Sequence, residues 1–483
     1  MIGRPSVYFD FMSVPVISIA QMREWEKATW ASGQSEAEVI RRVGLAVAQL
    51  ALRLTRSADC ILILAGKGHN GDDARCAAEH FSRRRVELLE VEEPTTAFPK
   101  LAVLLSLRPT LVIDGLFGIG INRPLDQSWI KLIRLVNDAR LQILAVDVPS
   151  GLNADTGEPQ GAAIQASVTL TVGAPKRGLL EPVAWPYVGR LEVATEVGLI
   201  PCPHTGDLCW TAPEDFAGFP PPRPVAGHKG DFGHLALICG SVGFHGAAVL
   251  AARGAQRAQP GLISLFTHEP AYTVVASQLQ AVMVHPWKPD SDLPAKFSAV
   301  FIGSGLAAPD LPDEMRHLTC RLWSELEIPV IVDASALDWL PLEAPARDAI
   351  RVITPHPGEA ARLLKTSVAQ VQADRRQALR QLSRRLGNCW VLLKGHQTLI
   401  GRSAGPIFVN SSGNPYLAQG GAGDLLGGFL AGLLAQPALQ EDPIRTIRWA
   451  VWQHGAAADG LQASRANWTV EELAAALGGV VLY

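Results

Sequence analysis

The densest chemistry in the sequence is the run Gly420, Gly421, Ala422, Gly423 and Asp424, which leads into an apolar helical segment. Consecutive glycines at a helix start leave backbone amides bare, and such amides hold a phosphoryl group or its negative charge. A carboxylate in the same turn can take the proton from a hydroxyl that attacks phosphorus. The plainer alternative is a glycine-rich helix entry capped by Asp424. Several polar loops stand beside short apolar runs in the same half: HKGDFG at 228–233, Gly303-Ser304-Gly305, TPHPGE at 354–359 and KGHQT at 394–398.

The first half has its own set. The loop Gly66-Lys67-Gly68-His69-Asn70-Gly71-Asp72-Asp73 follows an apolar run. It lacks the GK[ST] of a Walker loop. Read alone, it could be a tight turn into a helix starting near Asp73, with Asp72 and Asp73 at the helix N-terminus. Asp114 precedes a second glycine turn, GLFGIG, and Asp147 begins DVPSG with Ser150 three residues on. Parallel strands aiming Asn70, Asp114, Asp147 and Ser150 at one edge would build an oxygen-rich pocket suited to a monovalent or hard divalent cation. The alternative is that each aspartate caps a local turn.

The elements that would position these groups are legible. Two helical patterns fill 18–56, and CILILAG, TLVIDGLFG and LQILAVDVPSG are short apolar runs ending in polar or glycine-rich loops. In the second half GHLALICGS, SAVFIGSGL, PVIVDASAL, IRVITPHPGE and WVLLKGHQTLI repeat the style. Apolar strands between helical segments predict parallel sheets, whose strand carboxyl ends bind ligands. The proline-dense stretch 201–224 cannot continue a helix or a central strand and reads as a linker or surface excursion.

Composition bounds the function. The chain has 483 residues, 48% hydrophobic and 18% charged, which excludes a mainly disordered chain. A formal charge of −3 argues against an overall electrostatic grip on nucleic acid. The seven cysteines form no CxxC pair, and no apolar stretch reaches the ~18 residues of a membrane span. A cytoplasmic protein with small-molecule substrates, no membrane or nucleic-acid partner, and a homo-oligomeric state is the expectation.

The first-half motifs, with VDVPSGLNADTG the most specific, resemble the NAD(P)H-hydrate epimerase domain over roughly residues 15–210. The family loop GxGNNGGDG is altered here: His69 replaces the first Asn, Asp72 a Gly and Ala74 the last Gly. Ile119 replaces a Thr, and Arg41 stands where a helix glutamate would be. The resemblance implies K⁺ ligands at Asn70, Asp114 and Ser150, with Asp147 as acid–base group against the hydrated nicotinamide ring. It implies hydrate contacts from His69, Asn70, Gly71, Asp72, Asp73, Gly118, Ile119, Gly120, Ile121, Asn122, Arg123, Pro124 and Asp147. Asp72 is expected to add negative charge beside the substrate, so that Asp72→Gly would tighten binding.

The second-half motifs HKGxxG, TPHPGE and GNPYLAQGGAGD resemble the ribokinase-like fold and, within it, the ADP/ATP-dependent NAD(P)H-hydrate dehydratases over about 213–478. The usual GTGD is GAGD here. On this resemblance Asp424 activates the C6 hydroxyl of the S-hydrate. Lys394, Gly395, His396, Gln397, Thr398 and Gly423 hold the nucleotide. Ala247, Gly305, His356 and Asp424 line the hydrate site, and Glu359 contacts Mg²⁺ through water. The expected architecture is α/β: two three-layer αβα domains, a Rossmann-like one at 1–210 with epimerase activity and a ribokinase-like one at 211–483 with dehydratase activity. Together they would repair NAD(P)H hydrates with K⁺, Mg²⁺ and ADP or ATP. The alternative is a ribokinase-like small-molecule kinase fused to a non-catalytic binding module.

Overall fold

The computed structural model describes residues 13–288 and 296–480. The chain divides into two compact units, one from Val14 to Gly206 and the other from Asp207 onward.

The first unit opens with helices α1 (Ile19–Ala31) and α2 (Glu36–Leu54). Strands and helices then alternate: β1 (Cys60–Ala65), α3 (His69–Ala78), β2 (Arg85–Glu90), α4 (Pro94–Ser106), β3 (Leu111–Gly115), α5 (Gln127–Asp138) and β4 (Gln142–Val146). Strands β5 (Val168–Val172) and β6 (Arg190–Ala194) complete a six-stranded parallel sheet of order β2-β1-β3-β4-β5-β6. The two-residue period of a strand sorts its side chains onto opposite faces. Ile61 and Ile63 of β1 pack with Val43, Val47 and Ala51 of α2, while Leu62 and Leu64 pack with Leu101 of α4 and Ile133 of α5. The sheet is therefore covered on both faces. This explains why its strands read as continuous apolar runs rather than alternating ones. From β1 the chain moves to β2 on one side and later to β3 on the other. The loops after β1 and β3 thus flank a topological switch point, the expected ligand crevice of an open parallel sheet.

The second unit begins with β7 (Leu208–Trp210), β8 (His234–Ile238), α6 (His245–Ala258), β9 (Leu262–His268), β10 (Met283–Trp287), β11 (Ala299–Ile302), β12 (Val330–Val332) and β13 (Arg351–Ile353). It continues with α7 (Pro357–Leu364), α8 (Arg375–Arg385), β14 (Trp390–Leu393), β15 (Leu399–Gly401), β16 (Ile407–Val409), α9 (Ala422–Leu434) and α10 (Pro443–Ser464). The strand order is β7-β16-β15-β14-β13-β12-β11-β8-β9-β10, antiparallel only around β15. Here the switch point lies between β8 and β11. Their loops are tied by a hydrogen bond from Gly240 N to Ser304 O at 2.8 Å. Helix α9 reaches this edge because small residues let it lie against α6. A Cβ on Gly428 would sit 1.8 Å from Ala251 O, and one on Gly254 would sit 2.1 Å from Leu425 O.

The α/β expectation with parallel sheets holds. Two local expectations do not. Helix α3 starts at His69, not near Asp73, so Asn70 and both aspartates lie inside its first turns. Within the proline-dense stretch, Leu208–Trp210 forms a three-residue strand paired with Ile407–Val409. The three residues themselves include no proline, so no ladder donor is lost, and the buried Trp210 and Phe216 anchor the segment. Among the described residues, no helix is long and apolar enough to cross a membrane.

Candidate functional site

In the first unit a cavity of about 880 Å³ opens at the switch point. His69, Asn70, Asp73, Gly118, Ile119, Gly120, Ile121, Asn122, Arg123, Pro124 and Asp147 line it, as do Glu26 and Trp30 of α1. Gly71 and Asp72 do not line it. Gly71 is a packing position: a Cβ there would meet Gly66 O at 2.0 Å. Asp72 pairs with Arg75 at 2.8 Å, and Arg75 also reaches Glu90 at 2.6 Å and Gly66 O at 2.7 Å. The charge expected to crowd the substrate is thus turned to a partner on its own helix.

Beneath the cavity, Asp114 is fully buried. Its Oδ1 accepts from Ser150 Oγ at 2.6 Å and its Oδ2 from Ser150 N at 2.8 Å. Burial pushes the Asp114 carboxyl up to about 6, against the opposing pull of the Ser150 bonds. Asn70 Nδ2 donates to Phe117 O at 2.9 Å, and Phe117 N donates to Ser150 Oγ at 2.8 Å. Asn70 and Ser150 thus bond the carbonyl and the amide of Phe117, and Asp114 joins them through Ser150.

Asp147 follows β4 with a φ of 61°. Its Oδ1 accepts from Lys176 Nζ at 2.5 Å, Val172 N at 3.1 Å and Thr171 Oγ1 at 3.2 Å. Two further carboxyls share the cavity. Burial, followed by the charge of Asp147, pushes Asp73 well above the usual carboxylate range and raises Glu26 in the same way. Sequence reasoning missed Lys176 and Glu26. Lys176 sits in GAPKRG after VTLTV, a strand of the same apolar kind as those singled out, and that position was its available signal. Glu26 lies in an ordinary amphipathic helix and carries none.

In the second unit Asp424 stands in the first turn of α9, behind Gly421 with a φ of 96°. A side chain is strained in that conformation, so glycine is required there. Burial raises the Asp424 carboxyl to about 6, with the Ser304 hydroxyl pulling the other way. Lys394, at the end of β14, lies 2.8 Å from Asp333 Oδ1 and 3.9 Å from Glu359 Oε2. A Cβ on Gly423 would be 3.4 Å from its Nζ. Burial opposes the charge on Lys394, yet Asp333, Glu359 and Asp424 together raise its pKa. Glu359 Oε2 accepts from His356 N at 2.7 Å, and His356 Nδ1 accepts from Gly358 N at 3.0 Å, capping α7. A Cβ on Gly305 would come within 2.9 Å of Ala247 Cβ.

Contacts thus link His356, Glu359, Lys394 and Gly423 in one chain, and Gly305 with Ala247 lies next to Ser304, the neighbour of Asp424. Gly395, His396, Gln397 and Thr398 form the turn between β14 and β15. Beneath that turn is Arg375, which sequence reasoning missed. Its guanidinium donates to the carbonyls of His396 at 2.5 Å, Leu393 at 3.2 Å, and Gln397 and Lys394 at 3.4 Å. Burial lowers its pKa to about 10. An arginine in a polar helix, RRQALRQLSRR, carries no sequence signal for this role.

The sequence pattern of the NAD(P)H-hydrate dehydratases matches residues 235–477, and that of the YjeF-related protein N-terminus matches 87–178. The bifunctional NAD(P)H-hydrate repair enzyme Nnr of Coxiella burnetii is 34% identical over 444 residues, covering 86% of this chain and 89% of its own. The enzyme of that name from Gloeobacter violaceus is 33% identical over 502 residues, covering 96% of both. Among solved structures, the ADP/ATP-dependent NAD(P)H-hydrate dehydratase of Bacillus subtilis, co-crystallised with ATP/Mg²⁺, is 31% identical. It has a TM-score of 0.49 and covers 53% of this chain and 91% of that one.

Proposed function

The chain belongs to the bifunctional NAD(P)H-hydrate repair enzymes, and from that premise we propose which residues perform each step. The first unit, with its boundary near residues 206–210, interconverts the R and S hydrates. The second converts the S form to NAD(P)H at the expense of ADP or ATP. The observation that carries the reading is the convergence of Asp424, Lys394 and the glycine amides of 420–423 at one helix start.

In the second unit Asp424 takes the proton of the C6 hydroxyl. The freed oxygen attacks the terminal phosphorus of the nucleotide, with the shortened nucleotide as leaving group. The phosphate then leaves C6 as the ring nitrogen pushes in its electron pair, and loss of a C5 proton restores the dihydropyridine. Lys394 and the amides of the 420–423 turn neutralise charge on the transferred phosphoryl group. Arg375 holds the 394–398 turn in shape. Gly305, Ala247 and His356 frame the hydrate.

A metal ion would fit through Glu359, whose carboxylate is fixed by the His356 amide. Among the described residues there is no cluster of three or more His, Cys, Asp or Glu that could cage a metal. Mg²⁺ commonly binds through one or two carboxylates together with substrate phosphates and water, which fits the single carboxylate of Glu359. When bound, it would spread the charge of the phosphate oxygens.

In the first unit Asp147 takes the proton of the C6 hydroxyl as the C6–N1 bond opens to an aldehyde, with the electron pair passing to N1 and the conjugated carboxamide. N1 then adds to the other face of the carbonyl and Asp147 returns the proton to the oxygen, so C6 inverts. Asn70, Asp114 and Ser150 offer neutral oxygens and a single carboxylate, a donor set that fits K⁺. Such an ion would offset negative charge near the substrate. Seven free cysteines agree with a reducing, cytoplasmic setting.

The test mixes purified protein with R,S-hydrate, ADP or ATP, Mg²⁺ and K⁺ and follows absorbance of the reduced nicotinamide. Complete conversion is expected. Conversion halting at half would remove the epimerase assignment, and a stable phosphoester in place of NAD(P)H would remove the dehydratase one.

A further inference from the structure

Asp147 has an asymmetric carboxylate. All three hydrogen bonds that it receives from described residues go to Oδ1: from Lys176 Nζ, Val172 N and Thr171 Oγ1. Oδ2 accepts none, although Asp147 lines the cavity. Lys176 is fully buried and does not line that cavity. Its ammonium has three donors, and they are taken by Asp147 Oδ1 at 2.5 Å, Val172 O at 2.8 Å and Thr171 Oγ1 at 3.0 Å.

A buried ammonium is costly unless its charge is matched and its donors are satisfied. Here both conditions are met by a single carboxylate and the edge of β5. The groups facing Asp147 are otherwise acidic: Glu26 from α1 and Asp73 from α3, with His69 and Arg23 nearer Glu26. Lys176 is thus the cation bonded directly to Asp147 amid two further carboxyls. It also braces a residue whose left-handed backbone would be strained without support.

We infer that Lys176 is a positioning residue of the epimerase site: it pins Asp147 Oδ1 and balances its charge, leaving Oδ2 as the atom that exchanges a proton with the hydrate. The proton passes from the C6 hydroxyl to Oδ2 as the C6–N1 bond opens and returns to the same oxygen once the ring has closed on the other face, and no bond to the protein forms. The inference rests on Asp147 being the acid–base group.

The experiment uses the full chain and measures R-hydrate loss, normalised to the S-hydrate dehydration of the same preparation. Lys176→Met is expected to lower kcat for epimerisation ~10²-fold, the lower range for losing an acid–base group. KM should change little, because Lys176 does not line the cavity, and this split of kcat from KM is what a merely structural loss would not give. Asp147→Asn separates the two readings. If Asp147→Asn retains epimerisation, the acid–base assignment falls. If it abolishes epimerisation while Lys176→Met leaves kcat unmoved, the Lys176 inference alone falls. A Lys176→Met enzyme whose KM rises in step with the fall in kcat would make the role structural and also overturn it. Should Lys176→Met fail to melt cooperatively, Thr171→Val carries the test. It removes one Oδ1 donor and keeps the lysine, and a smaller fall in kcat at unchanged KM is expected. An unchanged kcat there overturns the inference.

Discussion

On the proposed roles, the two sites solve one problem, a carboxylate that must take a proton from a hydroxyl, with opposite surroundings. Asp147 sits at a strand end, and its partner is a dedicated buried ammonium at 2.5 Å. Asp424 sits at a helix start, and the nearest cation, Lys394, is shared with Asp333 and Glu359. The first arrangement fixes one oxygen and leaves the other to the substrate. The second raises the carboxyl to about 6 through burial and sets it near a cation that other carboxylates already hold in place. The difference teaches that the chemistry next to the base decides its setting. A substrate with a transferable phosphoryl group needs positive charge and bare amides beside the base, whereas an inversion at carbon needs a base with fixed geometry.

The sharpest way to break this comparison is to remove each base in turn. Asp424→Asn should lower dehydration of S-hydrate by ~10²–10⁴-fold and spare epimerisation. Asp147→Ala should do the reverse. Cross-effects of similar size, read from separate R- and S-hydrate assays, would show that the two sites are not independent. The pH profile sharpens it next. Asp424 must be ionised to accept a proton, and its pKa is about 6. Dehydration at saturating substrate should therefore fall about tenfold per pH unit below that value. A flat profile down to pH 5 would reject the assignment.

Smaller effects test how each site is held. Gly428→Leu forces a side chain into Ala251 O and should destabilise the second unit by ~1–3 kcal/mol or more, seen as a lowered melting transition together with lost dehydration. Asp114→Ala should abolish the response of epimerisation to K⁺, measured as rate against K⁺ concentration. An unchanged salt response would remove the cation site. The smallest effect is expected from Asp72→Gly. The Asp72–Arg75 pair is partly exposed and outside the cavity, and such pairs contribute roughly 0–1 kcal/mol. Hydrate KM should hold within about twofold, and a clear tightening would bring back the expectation drawn from the sequence.

Much of both sites was legible because their residues lie in consecutive stretches. The loops at 66–73, 114–124 and 147–151, and the GGAGD turn, are each one strand-end or helix-start segment. Glycine, aspartate and proline leave marks there that need no partner to be read. The apolar runs at 60–65, 111–115, 234–238 and 299–302 were equally plain, because strands buried on both faces are uninterrupted in hydrophobicity. Leu208–Trp210 was hidden among prolines, since a strand of three residues is defined by its partner, here Ile407–Val409, about two hundred residues away.

What the sequence determined by itself is local: the two α/β halves, the strand-end loops and the carboxylates within them. The tertiary structure decided which charges meet. Lys176 reads as any lysine after a strand until the fold buries it against Asp147, 29 positions earlier. Arg375 reads as helix surface until four loop carbonyls close around it. Asp72 reads as a charge beside the substrate until its helix begins at His69 and turns it to Arg75. The physical reason is common to all three. Backbone preferences act within a few residues, whereas a buried charge takes its role from whatever packing brings within about 3 Å, and that distance is set only when the chain has folded.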